Sequence, residues 1–255
     1  QSEKTPDGRY KLAQLVRANQ ALYDVATAYG VPCISGKDSM KNDSTRGGRK
    51  ISIPPTVLFS TLGWTDDVRR SVTPEAKRAG DLLYAVGLSR GECGASAFHR
   101  WLAARRRTPE RFGGAPPGLD TAAAVSLYRA MARATEQGLL RSAHTPTRGG
   151  LAVALAMVAL GGDLGLTVNL GAVPAAPGLS DDALLFSESN SRFLVTLDPA
   201  AAPALEALLQ GLPCARIGVV TETPTLTVVG ATGRTLVSAP LAGLRKAFTG
   251  TLRGL

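Results

Sequence analysis

The sequence is poor in several features that would have narrowed its function at once. It has three cysteines, Cys33, Cys93 and Cys214, far apart and without a CxxC pair. That spacing speaks against a zinc ribbon and still more against a disulfide framework. Only two histidines are present, His99 and His144, and neither has a Ser or Cys partner arranged as a nucleophile, so hydrolase chemistry has no support. The longest apolar run, LAVALAMVAL (151–160), is about half of what a bilayer-spanning helix needs. No signal peptide is visible, and the expectation is a cytoplasmic protein with no membrane partner. Aromatics reach only 5%. The phosphate-cradling pattern GxxxxGK[ST] also fails, because Val31 stands where glycine is required and Asp38 where Ser or Thr should follow the lysine.

What is present is ordinary in bulk and specific in detail. A chain of 255 residues with 44% hydrophobic and 19% charged residues can bury a real core as one or two domains. The net charge of +9 favours anionic partners. Its densest basic run, Arg105-Arg106-Arg107, has Trp101 nearby but no interleaved aromatics. It reads as a solvated stretch rather than a nucleic-acid surface.

Apolar residues at Leu12, Leu15, Val16, Leu22, Val25, Ala26 and Tyr29 predict an amphipathic helix stopped by Gly30. Short strands are expected at 31–35 and 56–63, and SVTPEAKRAGD (71–81) is the preferred domain boundary. DLLYAVGL then reads as a strand and GECGASAFHRWLAARRR as a glycine-opened helix. Asp120 is placed to cap a long helix ending at Gly138. A small-residue helix from Leu151, strands in LGLTVNL and SRFLVTL, a helix in DPAAAPALEALLQG and a run of late strands complete the pattern. Helices interleave early and strands cluster late, which predicts an α+β fold with a mixed sheet rather than a doubly wound one.

Three polar stretches could carry chemistry. The first, SGKDS (35–39), offers Gly36 for close backbone approach to an anion, Lys37 for phosphate charge, Asp38 as a hard oxygen for Mg²⁺ and Ser39 as a hydrogen-bond donor. A solvated turn would look similar. The second places Thr147, Arg148, Gly149 and Gly150 directly before a hydrophobic helix, where free N–H groups and the helix dipole suit phosphate. The third, FSESNSR, puts Glu188 and Ser189 in a polar insert between apolar runs, without the glycine a hairpin turn usually carries.

Taken together and in this order, GVPCISGKDSMKND, HTPTRGGLAVALA and LFSESNSRFLVT resemble the C-terminal part of the phosphoribosylformylglycinamidine synthase family, of the aminoimidazole ribonucleotide synthetase-like superfamily. SEKTPDGRYKLAQLVRAN, AGDLLYAVGLSRGECGAS, IGVVTETP and PLAGLRKAFTGTLR extend the resemblance over essentially the whole chain. It implies a partial ferredoxin-like, barrel-forming A domain over residues 1–72 and a synthetase C-terminal-like α+β B domain over 73–255. It also implies ATP-dependent amidation of formylglycinamide ribonucleotide to formylglycinamidine ribonucleotide in purine biosynthesis, with ATP and Mg²⁺ as cofactors. The chain would then be a fragment, inactive alone, that works with the N-terminal half of the synthetase and a glutaminase supplying ammonia. The alternative is a non-catalytic, nucleotide-holding half that stabilises the full synthetase.

By the same resemblance Gly36, Lys37, Asp38 and Ser39 meet ATP or substrate, with Asp38 on the metal. Thr147, Arg148, Gly149, Gly150, Glu188 and Ser189 line an auxiliary phosphate site. Unpaired barrel edges in the first domain would invite a homodimer of the fragment.

Overall fold

Helix α1 (Gly8–Tyr29) forms where the 3.6-residue spacing predicts it, and Gly30 in the left-handed region turns the chain out of it (φ +67°). The computed structural model describes residues 8–37, 43–52, 56–108 and 113–250. The chain divides into two units, residues 1–66 and 67–255.

In the first unit, α1 is followed by a two-stranded antiparallel hairpin, β1 (Asp43–Arg46) and β2 (Arg49–Ser52). Its two-residue turn is Gly47-Gly48, both at positive φ, as a primed hairpin turn requires. The apolar face of α1 remains open: Leu12 is 55% exposed, Val16 61% and Tyr23 67%. An open groove of about 510 Å³ runs between the second half of α1 and residues 30–33. Strands were expected at 31–35 and 56–63, but both stretches are exposed chain without strand structure. Alternating apolar residues give a propensity, but a strand exists only when another backbone accepts its hydrogen bonds, and among the described residues none does.

The second unit is built on a seven-stranded sheet. Its strands are β3 (Leu82–Val86), β4 (Ser142–His144), β5 (Gly165–Asn169), β6 (Phe193–Leu197), β7 (Cys214–Thr221), β8 (Thr225–Val229) and β9 (Thr235–Pro240). The spatial order is β4-β6-β3-β7-β5-β8-β9, antiparallel throughout except for the β5–β8 pair. The expected mixed α+β sheet is therefore the one observed.

The helices are α2 (Ala97–Arg106), α3 (Thr121–Glu136), α4 (Gly150–Gly162), α5 (Asp181–Phe186), α6 (Ala202–Leu208) and α7 (Leu241–Gly250). Asp120 caps α3 by accepting the Ala123 N–H at 3.0 Å. Central strand β3 is buried at every position and divides its side chains between two cores. Leu83 and Ala85 join Leu151, Leu155 and Val158 of α4, with Ile217 and Leu226 of the sheet. Leu82, Tyr84 and Val86 face Leu127 and Met131 of α3 and Leu205 of α6. Each fully buried aliphatic side chain of this kind contributes roughly 1.5–3 kcal/mol.

Strands β7 and β8 are joined by only Glu222-Thr223-Pro224, yet they are not neighbours, because β5 lies between them. The link arches over the start of β5. A Cβ on Gly165 would lie 1.8 Å from the Thr223 carbonyl oxygen, so only glycine passes beneath it.

Candidate ligand site

Strand register decides which loops meet. Val86 pairs with Phe193 and His144 with Leu194. The segments 87–96 after β3, 145–149 after β4 and 187–192 before β6 therefore emerge at the same end of the sheet. Two of the three sequence-predicted stretches are thereby brought into contact. A Cβ on Gly150 would lie 2.5 Å from the Ser187 carbonyl oxygen, so the TPTRGG turn can press against FSESNSR only with glycine there.

The junction is hydrogen-bonded through Glu188. Its Oε1 accepts the Gly149 N–H at 2.8 Å and the Ala97 N–H at 2.9 Å. One carboxylate oxygen thus serves the first residue of α2 and the residue preceding α4. Neither helix has an acidic residue in its own first turn, so Glu188 supplies the negative charge both dipoles favour. Ser189 is buried, and its Oγ accepts from the Arg90 N–H (3.0 Å) and donates to the Arg90 carbonyl (3.2 Å).

Beneath them lies Arg192, 2% exposed. Its guanidinium donates to Ser89 Oγ (3.0 Å) and to the carbonyls of Ser189 (3.0 Å) and Ser187 (2.6 Å). Burial lowers its pKa to about 10, against the opposing pull of Glu92, Cys93 and Glu188, so it stays cationic at neutral pH. Glu92 accepts the Gly118 N–H at 2.8 Å through Oε1, while its Oε2 is buried without a partner among the described residues. Burial and the nearby Glu188 push the Cys93 thiol up, away from the reactive thiolate. Burial likewise lowers the His144 pKa and favours its neutral form.

Thr147 and Arg148 stand exposed at the rim of this cluster, and Arg148 makes no ion pair among the described residues. Gly36 and Lys37 are exposed in the first unit; Asp38 and Ser39 fall outside the described residues. Ser89, Arg90, Glu92 and Ala97 were not singled out from the sequence, and Arg192 only as part of the polar insert. Ala97, Arg90 and Ser89 meet Glu188, Ser189 and Arg192 across 91, 99 and 103 residues, and no local pattern announces such pairings.

The donor set of the second unit fits an anion, with an exposed hydroxyl and guanidinium beside the start of α4. It does not fit a metal: among the described residues no group of three or more His, Cys, Asp or Glu side chains could hold one, and Glu188 Oε1 is already engaged by two amides.

Residues 78–231 match the family model described as AIR synthase related protein, C-terminal domain. The chain belongs to this family. Over 98% of its length it is 33% identical to the phosphoribosylformylglycinamidine synthase subunit PurL of Deinococcus radiodurans. It is 34% identical, again over 98%, to the subunit of the same name from Thermobifida fusca. It spans about a third of these relatives, 32% and 31% of their lengths. Among solved structures, Thermotoga maritima PurL complexed with FGAR superposes with a TM-score of 0.59 at 22% identity, over 69% of this chain and 29% of that one. The complex of that protein with ATP gives 0.54 at 21%, over 69% and 27%. These likenesses establish the AIR synthase-related fold for this chain.

Proposed function

We propose that this chain is the C-terminal portion of a phosphoribosylformylglycinamidine synthase, an ATP-dependent C–N ligase that converts formylglycinamide ribonucleotide to the amidine. The observation that carries this reading is similarity over 98% of the chain to PurL subunits of two bacteria. Residues 1–72 are the later part of an A domain and 73–255 a B domain. The N-terminal half of the synthetase and an ammonia-supplying glutaminase are the partners, in the cytoplasm.

An amide oxygen is a poor leaving group. Phosphoryl transfer from ATP to that oxygen makes it one, and ammonia then adds to the carbon as phosphate departs. Such chemistry asks the protein for positioning and charge neutralisation rather than a nucleophile. Gly36, Lys37, Asp38 and Ser39 serve ATP or substrate, with Asp38 toward Mg²⁺. In the second unit Thr147 and Arg148 contact the phosphates of an auxiliary nucleotide. Gly149, Gly150, Glu188 and Ser189 line that site by fixing the loops that present them.

Two measurements test this reading. Assayed with ammonia, ATP and formylglycinamide ribonucleotide, the chain alone should turn over little, and adding the missing synthetase half should restore activity; strong activity from the chain alone would end the division of labour. Arg148→Ala in the complete synthetase should weaken ADP retention about tenfold, as loss of a charge-assisted contact does. Unchanged retention would remove the auxiliary-site assignment.

A further inference from the structure

Helix α2 carries a feature that the proposed ligand site does not use. Residues 97–107, AFHRWLAARRR, contain four arginines and no carboxylate. Arg100, Arg105, Arg106 and Arg107 are all exposed, and none makes an ion pair among the described residues. The helix dipole accounts for cations in the last turn. It does not account for Arg100, which sits in the first turn, where the same field opposes a positive charge.

Among these cations stands Trp101, 56% exposed. It tops a column of rings that starts at half-buried Phe186. Phe186 stacks on Phe98 with centroids 4.6 Å apart and planes within 4°. Phe98 lies 6.3 Å from Trp101 at 19°, and the Arg105 guanidinium sits 5.6 Å over the indole. The column holds the indole and one guanidinium in place, so less side-chain freedom is lost when a partner arrives.

We propose that the outer face of α2 is a docking surface for an acidic segment of another polypeptide. Carboxylates match the fork of the guanidinium group in charge and geometry, and an aliphatic side chain beside them covers the exposed edge of Trp101. Single-stranded nucleic acid is the poorer fit, because base stacking needs an open aromatic face. Phe98 lies one helical turn before the indole and Arg105 one turn after it. The docking surface also adjoins the ligand loops: the Ala97 N–H at the start of α2 is held by Glu188, and Phe186 immediately precedes Ser187. The proposal stands whether or not the synthase assignment does.

The test uses the whole chain and labelled poly-L-glutamate, followed by fluorescence anisotropy. Binding should be present at low salt and weaken as salt rises. The pair R105E/R106E should weaken it about tenfold, while R129E/R133E, the same charge change on the exposed face of α3, should change it about threefold or less. Trp101→Ala should also weaken it, with no change in charge. Circular dichroism of each variant shows that the fold is kept. Equal losses from the two arginine pairs would reduce the effect to diffuse charge and overturn the proposal. So would absence of binding at low salt, or tighter binding of an oligothymidylate carrying the same number of charges.

Discussion

The two units use the same kinds of residue to opposite effect. In the second, Leu83, Leu155, Leu166 and Val195 are wholly buried between sheet and helices. In the first, Leu58 is 89% exposed, Leu62 95% and Trp64 90%, and Gly8 is the buried residue of α1. The first unit is the less hydrophobic of the two, and the apolar side chains it does carry lack a covering surface among the described residues. The second unit builds its own hydrogen-bond ladders and two cores, while in the first the segments 31–35 and 56–63 join no strand ladder among the described residues.

The sharpest way to break this comparison is amide hydrogen exchange on the chain alone. Amides of β3 should exchange orders of magnitude more slowly than those of 56–64, which lack a ladder. Equal protection would show that the first unit is closed after all. Among substitutions the largest expected effect is at Arg192. Arg192→Met strips Ser89 Oγ and the Ser187 and Ser189 carbonyls of their buried donor and should cost roughly 3–5 kcal/mol in urea unfolding, since each acceptor left unsatisfied costs about 1–3 kcal/mol. Leu155→Ala should cost about 2–5 kcal/mol, whereas Leu62→Ala should fall within about 0.5 kcal/mol of zero. Similar losses at both leucines would erase the distinction between the units.

Glu188→Ala withdraws the acceptor shared by α2 and α4 and should cost about 1–3 kcal/mol, with Glu188→Gln losing less because its amide oxygen still accepts. A further small effect is electrostatic. Lys77, with help from the backbone and Thr73, holds Glu75 down to a pKa of about 2, from an ordinary 4.5. The stability this adds is present above pH 4.5 and lost as pH falls toward 2. Because the pair is near the surface, Glu75→Gln should flatten that acid limb by less than about 1 kcal/mol. Asp81 works the other way: burial raises its pKa, so the folded state takes up that proton first and gains stability as pH falls through the raised value.

Much of the fold was legible because local signals and tertiary structure agree. The period of α1, the Asp120 cap and the small-residue face of α4 each appear in the structure as read. The Gly47-Gly48 hairpin was overlooked although its turn chemistry is plain. So was α5, despite Ser180 capping and two aspartates in its first turn. The strands expected at 31–35 and 56–63 failed for another reason, since strand formation is decided by a neighbour that local pattern cannot supply. At the candidate site, TPTRGG and FSESNSR were visible as polar punctuation. The buried Arg192 clamp and the Ser89-to-Cys93 backbone around it were not, because β3 and β6 become neighbours only when the whole sheet forms.

The arch of Glu222-Thr223-Pro224 over Gly165 constrains the order of assembly. A closed bridge of three residues leaves no room for β5 to thread through afterwards, so β5 has to be laid down before β7 and β8 straddle it. Synthesis presents the strands in that sequence, β5 leading by about 50 residues. A circular permutant opened between β5 and β7 would make the bridge first, and it should refold slowly and accumulate trapped, sheet-incomplete species even though its finished contacts are the same.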